Sequence, residues 1–204
     1  GAAPGDSGFF PFSFGPFIGF WSAFEAATEM GIRAIPGGGL SSENRLRMIE
    51  RHRPDFIACT PTYALHLANV GKEMALPVGE LGVKALVVCG EPGGSIPEVR
   101  RRLQGEWNAR VVDHHGMTET GPVTVSDPEN PEVLRISPNA YHAEVVEAGS
   151  GIPVAAGEIG ELVLTTLGRY GSPLVRYRTG DLVRPVNIEG EGPATVGFHG
   201  GIIG

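Results

Sequence analysis

The stretch HHGMTETG, residues 114–121, sets two histidines, two threonines and a glutamate beside two glycines. It follows an apolar run, NARVVD, that has the composition of a strand. Side chains alternate across a strand, so the adjacent His114 and His115 point to opposite sides and do not share a metal ion. No cysteine or acidic residue stands at ligand spacing to complete a tetrahedral set. Thr118 and Glu119 come after the strand end. There a hydroxyl can meet a phosphate oxygen and a carboxylate can hold Mg²⁺.

Two other stretches carry polar groups that can do chemistry. CGEPGGS, residues 89–95, lies between an apolar strand and a helix, so its backbone N–H groups face the carboxyl edge of the sheet, where open α/β folds bind ligands. It matches neither the dinucleotide nor the P-loop glycine pattern, and a plain strand-to-helix turn explains it as well as a binding loop does. VRYRTGDLVRP, residues 175–185, alternates arginines with apolar residues and then reaches Thr-Gly-Asp. Asp181 can accept two hydrogen bonds from a vicinal diol, although an Asx turn closing a hairpin is the stronger reading of those residues alone. No serine sits in G-x-S-x-G, and Cys59 and Cys89 end apolar runs as core residues do.

The elements that must position these groups follow from periodicity. GPFIGFWSAFEAATEMG has Phe17, Phe20, Trp21, Phe24 and Ala27 at helical spacing and stops at Gly31. SSENRLRMIERH opens on a serine cap, and PTYALHLANVGKEM and SIPEVRRRLQGEW read as further helices. IRAIP, DFIACT, VKALVVCG and NARVVDHH are short apolar strands of the kind buried on both faces of a parallel sheet. After residue 121, AYHAEVVE, GELVLTTL and PLVRYRTGDLVRP are β-rich with Gly and Pro between them. The expected organisation is an α/β subdomain over residues 1–121, a parallel sheet with flanking helices, followed by a mostly antiparallel β lobe over 122–204. The glycine-rich end, EGEGPATVGFHGGIIG, reads as a loop or an interrupted element.

The chain has 204 residues and a formal charge of -7, with no basic stripe, so nucleic acid is not an expected partner. It has no uninterrupted apolar run of about 18 residues and no basic-then-apolar leader pattern, so neither a membrane span nor a signal peptide is read and the cytoplasm is the expected location. Two cysteines do not make a disulfide framework.

Taken in order, FPFSFGPFIGFWSAFEAATEMG, RPDFIACTPTYALHLANV, CGEP, HGMTE and GEIGELVLTTLGRYGSPLVRYRTGDLVRP resemble the adenylate-forming enzymes, in particular their phenylacetate-coenzyme A ligase-like branch. The resemblance implies an ATP-dependent carboxylic acid-coenzyme A ligase that activates an aromatic or related acid through an acyl-adenylate, using ATP, Mg²⁺ and coenzyme A. By that likeness Gly90, Glu91 and Pro92 line the adenine, as do His115, Gly116 and Met117. Thr118 contacts the α-phosphate, Glu119 holds Mg²⁺ and Asp181 takes the ribose hydroxyls. His115 stands where the family usually has Tyr, a smaller ring for stacking on the base. Tyr63 and Phe17 border the acyl pocket, although core packing is the expected role for most of Phe14, Phe17 and Phe20. The likeness allows a homodimer, a carrier-protein or amine acceptor in place of coenzyme A, and a nucleotide-binding module without catalysis. It places the family's phosphate loop before residue 1 and its lysine-bearing domain after residue 204, so the 204-residue chain alone is expected to be inactive.

Overall fold

A computed structural model describes residues 2–187 and 196–204. The chain forms two compact units, Gly1–Val112 and Asp113–Gly204.

The first unit is built on four short strands. β1 (Ser7–Phe10), β2 (Arg33–Pro36), β3 (Phe56–Cys59) and β4 (Ala85–Val88) run parallel in the order β2–β1–β3–β4. Helix α1 (Ile18–Glu29) connects β1 to β2, α2 (Ser42–His52) connects β2 to β3, and α3 (Pro61–Glu73) connects β3 to β4. Helix α4 (Pro97–Trp107) follows β4. Covered on both faces, the strands need no polar side, which explains their unbroken apolar runs. Phe9, Ile57, Cys59, Leu86 and Val88 pack with Leu46 and Ile49 of α2, Leu67 of α3, and Leu103 and Trp107 of α4. The alternate positions Phe10 and Ala58 pack with Ala27 of α1, against half-buried Phe24, Phe56 and Val87. This is the period-two alternation of a pleated strand with both sides dry.

Local chemistry sets the helix ends. The Ser41 hydroxyl accepts the Asn44 N–H at 3.3 Å, and the Thr60 hydroxyl accepts the Tyr63 N–H at 3.2 Å, with Pro61 in the first turn of α3. Gly31 ends α1 with φ 73°. Trp107, 1% exposed, donates Nε1–H to the Ala64 carbonyl at 3.0 Å and so ties α4 to α3. Asp55 fastens the amino ends of three strands: Oδ2 accepts the Ser7 N–H at 2.8 Å and the Ser7 hydroxyl at 3.0 Å, and Oδ1 meets Lys84 Nζ at 2.7 Å. The Lys84 ammonium and the Ser7 N–H hold its carboxyl down to about 2 from an ordinary 3.8.

The second unit is antiparallel. The last residues of β5 (Arg110–Met117) pair with β6 (Gly121–Ser126), which pairs with β7 (Val133–Ile136). β8 (Tyr141–Val146), β9 (Gly160–Thr166) and β10 (Tyr177–Val183) make a separate three-stranded sheet in the order β10–β9–β8. β11 (Pro185–Asn187) pairs with β12 (Val196–His199), which pairs with β7. Val123, Leu134, Ile136, Tyr141, Val145, Leu162, Leu164, Val183 and Phe198 form their common core.

Four features depart from the expectations. β1 was not anticipated, because four residues between Asp6 and Pro11 are too few to show a period. The units part at 112/113 instead of 121/122, because the HHGM strand folds back on β6 as an antiparallel hairpin and joins the β lobe. In the glycine-rich end, residues 189–195 lie outside the described residues, but Val196–His199 is a strand with Phe198 fully buried. Finally, α1 begins at Ile18, and Phe17 stands at its cap, 65% exposed and outside the core.

Candidate functional site

The turn 118–120 joins β5 to β6, so the chemistry-bearing residues sit on a β-hairpin. The pairing shifts between His115, opposite Thr124, and Gly116, opposite Pro122. One residue on β5 thus faces two on β6, a bulge that bends the strand. Gly116 is required there: a Cβ would come within 2.8 Å of the Gly121 carbonyl oxygen and 2.9 Å of Pro122 Cα, both backbone atoms. Met117 is half-buried, Thr118 and Glu119 are exposed, and Thr120 is 3% exposed.

Two donors hold the turn from elsewhere in the unit. Tyr141 Oη–H donates to the Thr120 carbonyl at 2.8 Å, and Arg169 Nη1–H donates to the Glu119 carbonyl. Burial pushes the Tyr141 hydroxyl upward despite the nearby Arg169 guanidinium, so the phenol keeps its proton and stays a donor. The turn therefore offers a hydroxyl and a carboxylate to solvent on a fixed backbone.

The histidines have different surroundings. Burial, with the neighbouring His115 adding to it, lowers the His114 pKa and favours the neutral ring. His115 Nε2 lies 3.2 Å from Asp181 Oδ2, off the hydrogen-bonding direction, and its Nδ1 is buried without a partner. Asp181 sits within β10, not in a turn that closes a hairpin. Arg178 faces Val163 and Leu182 faces Glu161, so four steps on β10 are spent against two on β9 and Thr179-Gly180-Asp181 bulges from the ladder. Gly180, at φ 81°, makes that path possible. Thr179 fixes it: its hydroxyl donates to the Leu162 carbonyl at 3.0 Å and accepts the Asp181 N–H at 3.0 Å. The neighbouring arginines are already engaged. Arg178 forks onto Glu161, lowering that carboxyl's pKa, and Arg176 Nε meets Glu144 at 3.0 Å.

In the first unit Gly90, at φ 87°, turns the chain after β4. Glu91 Oε1 accepts the Thr62 N–H at 2.6 Å, so this carboxylate occupies the amino end of α3 and anchors the loop. Pro92 is exposed. Tyr63, also in the first turn of α3, has a committed hydroxyl: it accepts Arg45 Nη1–H at 2.5 Å and lies 3.1 Å from Ser42 Oγ, which is itself 3.0 Å from His66 Nε2. Phe17 makes an edge contact with Phe20 at 6.0 Å. Burial raises the Cys59 thiol's pKa, as suits a core residue.

Within each unit, then, the expected residues gather in small sets: Thr118 with Glu119, His115 with Asp181, and Glu91 with Tyr63 at one helix end. Sequence reading missed Tyr141, Arg169, Thr179 and Arg45. No local spacing could find Arg169, which is 50 residues from Glu119. Among the described residues no group of three His, Cys, Asp or Glu could hold a metal by itself. Glu119 offers one exposed carboxylate, an oxygen donor of the kind Mg²⁺ takes.

The chain is 30% identical over 186 residues to a phenylacetate-coenzyme A ligase of Pseudomonas putida, which covers 90% of this chain and 42% of that protein. It is 30% identical over 184 residues to the Thermus thermophilus enzyme of the same name, covering 89% and 41%. A crystal structure of 2-hydroxyisobutyryl-CoA ligase, in an open conformation with 2-HIB-AMP and CoA, superposes with a TM-score of 0.92 at 28% identity, covering all of this chain and 49% of that one. The chain thus spans less than half the length of these relatives. The family model described as AMP-binding enzyme matches residues 10–168, and the chain belongs to the AMP-binding enzyme family.

Proposed function

We propose that this chain forms the nucleotide-handling part of an AMP-forming acid-thiol ligase that activates an aromatic or related carboxylic acid and passes it to coenzyme A. The observation that carries the reading is the exposed Thr118–Glu119 edge on a turn pinned by two donors, in a chain of this family. The carboxylate of the acid attacks the α-phosphorus of ATP and pyrophosphate leaves. The coenzyme A thiolate then attacks the acyl-adenylate carbonyl and AMP leaves.

In this reading Thr118 binds the α-phosphate, and Asp181 accepts the two ribose hydroxyls. Gly90, Glu91 and Pro92 contact the adenine, as do His115, Gly116 and Met117. Glu119 would hold Mg²⁺, which would offset negative charge in phosphoryl-type transfer. Tyr63 borders the acid pocket. Phe17, an exposed residue, would line that pocket only where another segment covers it. The enzyme would work in the cytoplasm, where its nucleotide and thiol substrates are made.

The test is acid-dependent exchange of labelled pyrophosphate into ATP by the complete gene product, across a panel of aryl and alkyl acids. The expected result is exchange with one class of acid, followed by AMP release on adding coenzyme A. Absence of exchange with every acid refutes adenylation.

A further inference from the structure

Both donors that hold the Thr118–Thr120 turn come from one end of the three-stranded sheet. Tyr141, the first residue of β8, is paired in register with Thr166, the last residue of β9. The next residue, Leu167, donates its N–H to the Ala140 carbonyl at 2.9 Å. The root of the 167–176 segment is fixed further by Thr166 N–H on the Leu174 carbonyl at 2.9 Å and Leu174 N–H on Thr166 Oγ1 at 3.0 Å. Arg169 therefore leaves from a clamped base, three residues beyond Thr166, the partner of Tyr141.

Three other arginines of this unit face carboxylates, whereas Arg184, like Arg169, donates to a backbone carbonyl, that of Gly157, at 2.6 Å. Arg135 lies 3.4 Å from Asp127, Arg176 3.0 Å from Glu144, and Arg178 forks onto Glu161. Arg169 spends one N–H on the Glu119 carbonyl and, among the described residues, has no carboxylate partner. A guanidinium carries five donors in a planar fork, so most of its donors are left for another acceptor. That acceptor would lie beside an exposed hydroxyl and an exposed carboxylate. A polyanion approaching Glu119 meets like charge, and a cation bonded to the backbone of the same residue offsets it.

We propose that Arg169 is a positioning residue for the Thr118–Glu119 edge and a phosphate-facing cation: it fixes the Glu119 carbonyl and turns its remaining N–H groups to the phosphate of the bound nucleotide. The inference rests on the nucleotide reading above and adds a residue to it.

The experiment compares AMP and adenosine binding by calorimetry on the complete gene product, in wild type, Arg169→Ala, Arg169→Gln and Arg169→Lys. A phosphate-facing cation predicts that Arg169→Ala weakens AMP about tenfold, the scale of one charge-assisted hydrogen bond, while adenosine affinity is unchanged and Arg169→Lys recovers most of the loss. A merely structural role would move AMP and adenosine together, and that outcome overturns the proposal, as does equal AMP affinity in all four proteins. Should Arg169→Ala fail to fold, Arg169→Gln against Arg169→Lys separates charge from shape in the same way. A wild type that binds neither ligand overturns the nucleotide reading and this inference with it. A wild type that binds AMP with no loss in the variants overturns the inference alone.

Discussion

Replacing Asp181 by Ala should weaken ATP and AMP binding by about 1.5 to 3 kcal/mol, because the two ribose hydroxyls would lose a charged acceptor. That converts to a rise in Kd of about 10- to 150-fold. The bulge that presents Asp181 is held by Gly180 and by Thr179, whose hydroxyl bonds the Leu162 carbonyl and the Asp181 N–H. None of those bonds uses the carboxylate. Its protein neighbour, His115 Nε2, is 3.2 Å away without a hydrogen bond, so the fold loses little and the melting temperature should stay close to wild type. Calorimetry on the complete gene product with AMP and with 2′,3′-dideoxy-AMP isolates the effect. Wild type should favour the diol by the same factor that Asp181→Ala loses, and the variant should bind the two nucleotides equally. Unchanged AMP affinity in the variant, or wild-type indifference to the diol, refutes the ribose assignment.

Thr179→Val removes both bonds that shape the bulge and should cost about 1 to 2 kcal/mol of stability, with AMP affinity falling alongside, read by melting and calorimetry. Gly116→Ala forces a Cβ against backbone at 2.8 Å and 2.9 Å, an overpacking cost of about 1 to 3 kcal/mol that denaturant titration would detect. Asp55→Asn should flatten the acid limb of the stability curve. The carboxyl is held near 2 instead of 3.8, by Lys84 first and Ser7 next, so its contribution is full above about pH 4 and is lost as pH falls from 4 towards 2. Lys84 is 73% exposed in its side chain, so solvent screens that part and the loss at neutral pH should be about 1 to 2 kcal/mol, from the Ser7 bonds mainly. An acid limb identical to wild type would show that Asp55 is not a strand fastener.

The four helices and three of the parallel strands were legible because each announces itself locally. Ser41 and Thr60 cap their helices, Gly31 closes α1, and the runs FIAC and ALVV are bounded by polar or turn residues. The order of CGEP, HGMTE and YRTGD carried the family, because three motifs in sequence exclude far more than any one of them does. What stayed hidden depends on pairing. A run of four residues such as SGFF cannot show that it lies between two other strands. Nor can Thr-Gly-Asp show whether it ends a strand or swells out of one: turn residues serve both, and the answer depends on the partner β9, where Val163 and Glu161 fix the register on either side. Glu91 reads as a loop residue until the Thr62 N–H it accepts comes into view, 29 positions away. Long-range bonds of this kind leave no period in the chain.

The register shifts recorded among the described strand pairs fall at His115/Gly116 and between Arg178 and Leu182, within two of the stretches whose residue types first suggested chemistry. An antiparallel ladder ties the backbone N–H and C=O groups of alternate residues to its partner and sends side chains alternately to its two faces. A bulge releases a residue from that order and re-aims its side chain without unravelling the strand. In β5 the shift needs a glycine, because the opposing backbone comes within 3 Å of where a Cβ would stand. In β10 it needs Gly180 for a positive φ and Thr179 for the backbone groups the ladder no longer serves. The glycine in HGMTE and the threonine and glycine in YRTGD thus have a structural reason to accompany the charged residue of each motif. Glu119 and Asp181 supply the carboxylates, and their small neighbours make it geometrically possible to present them.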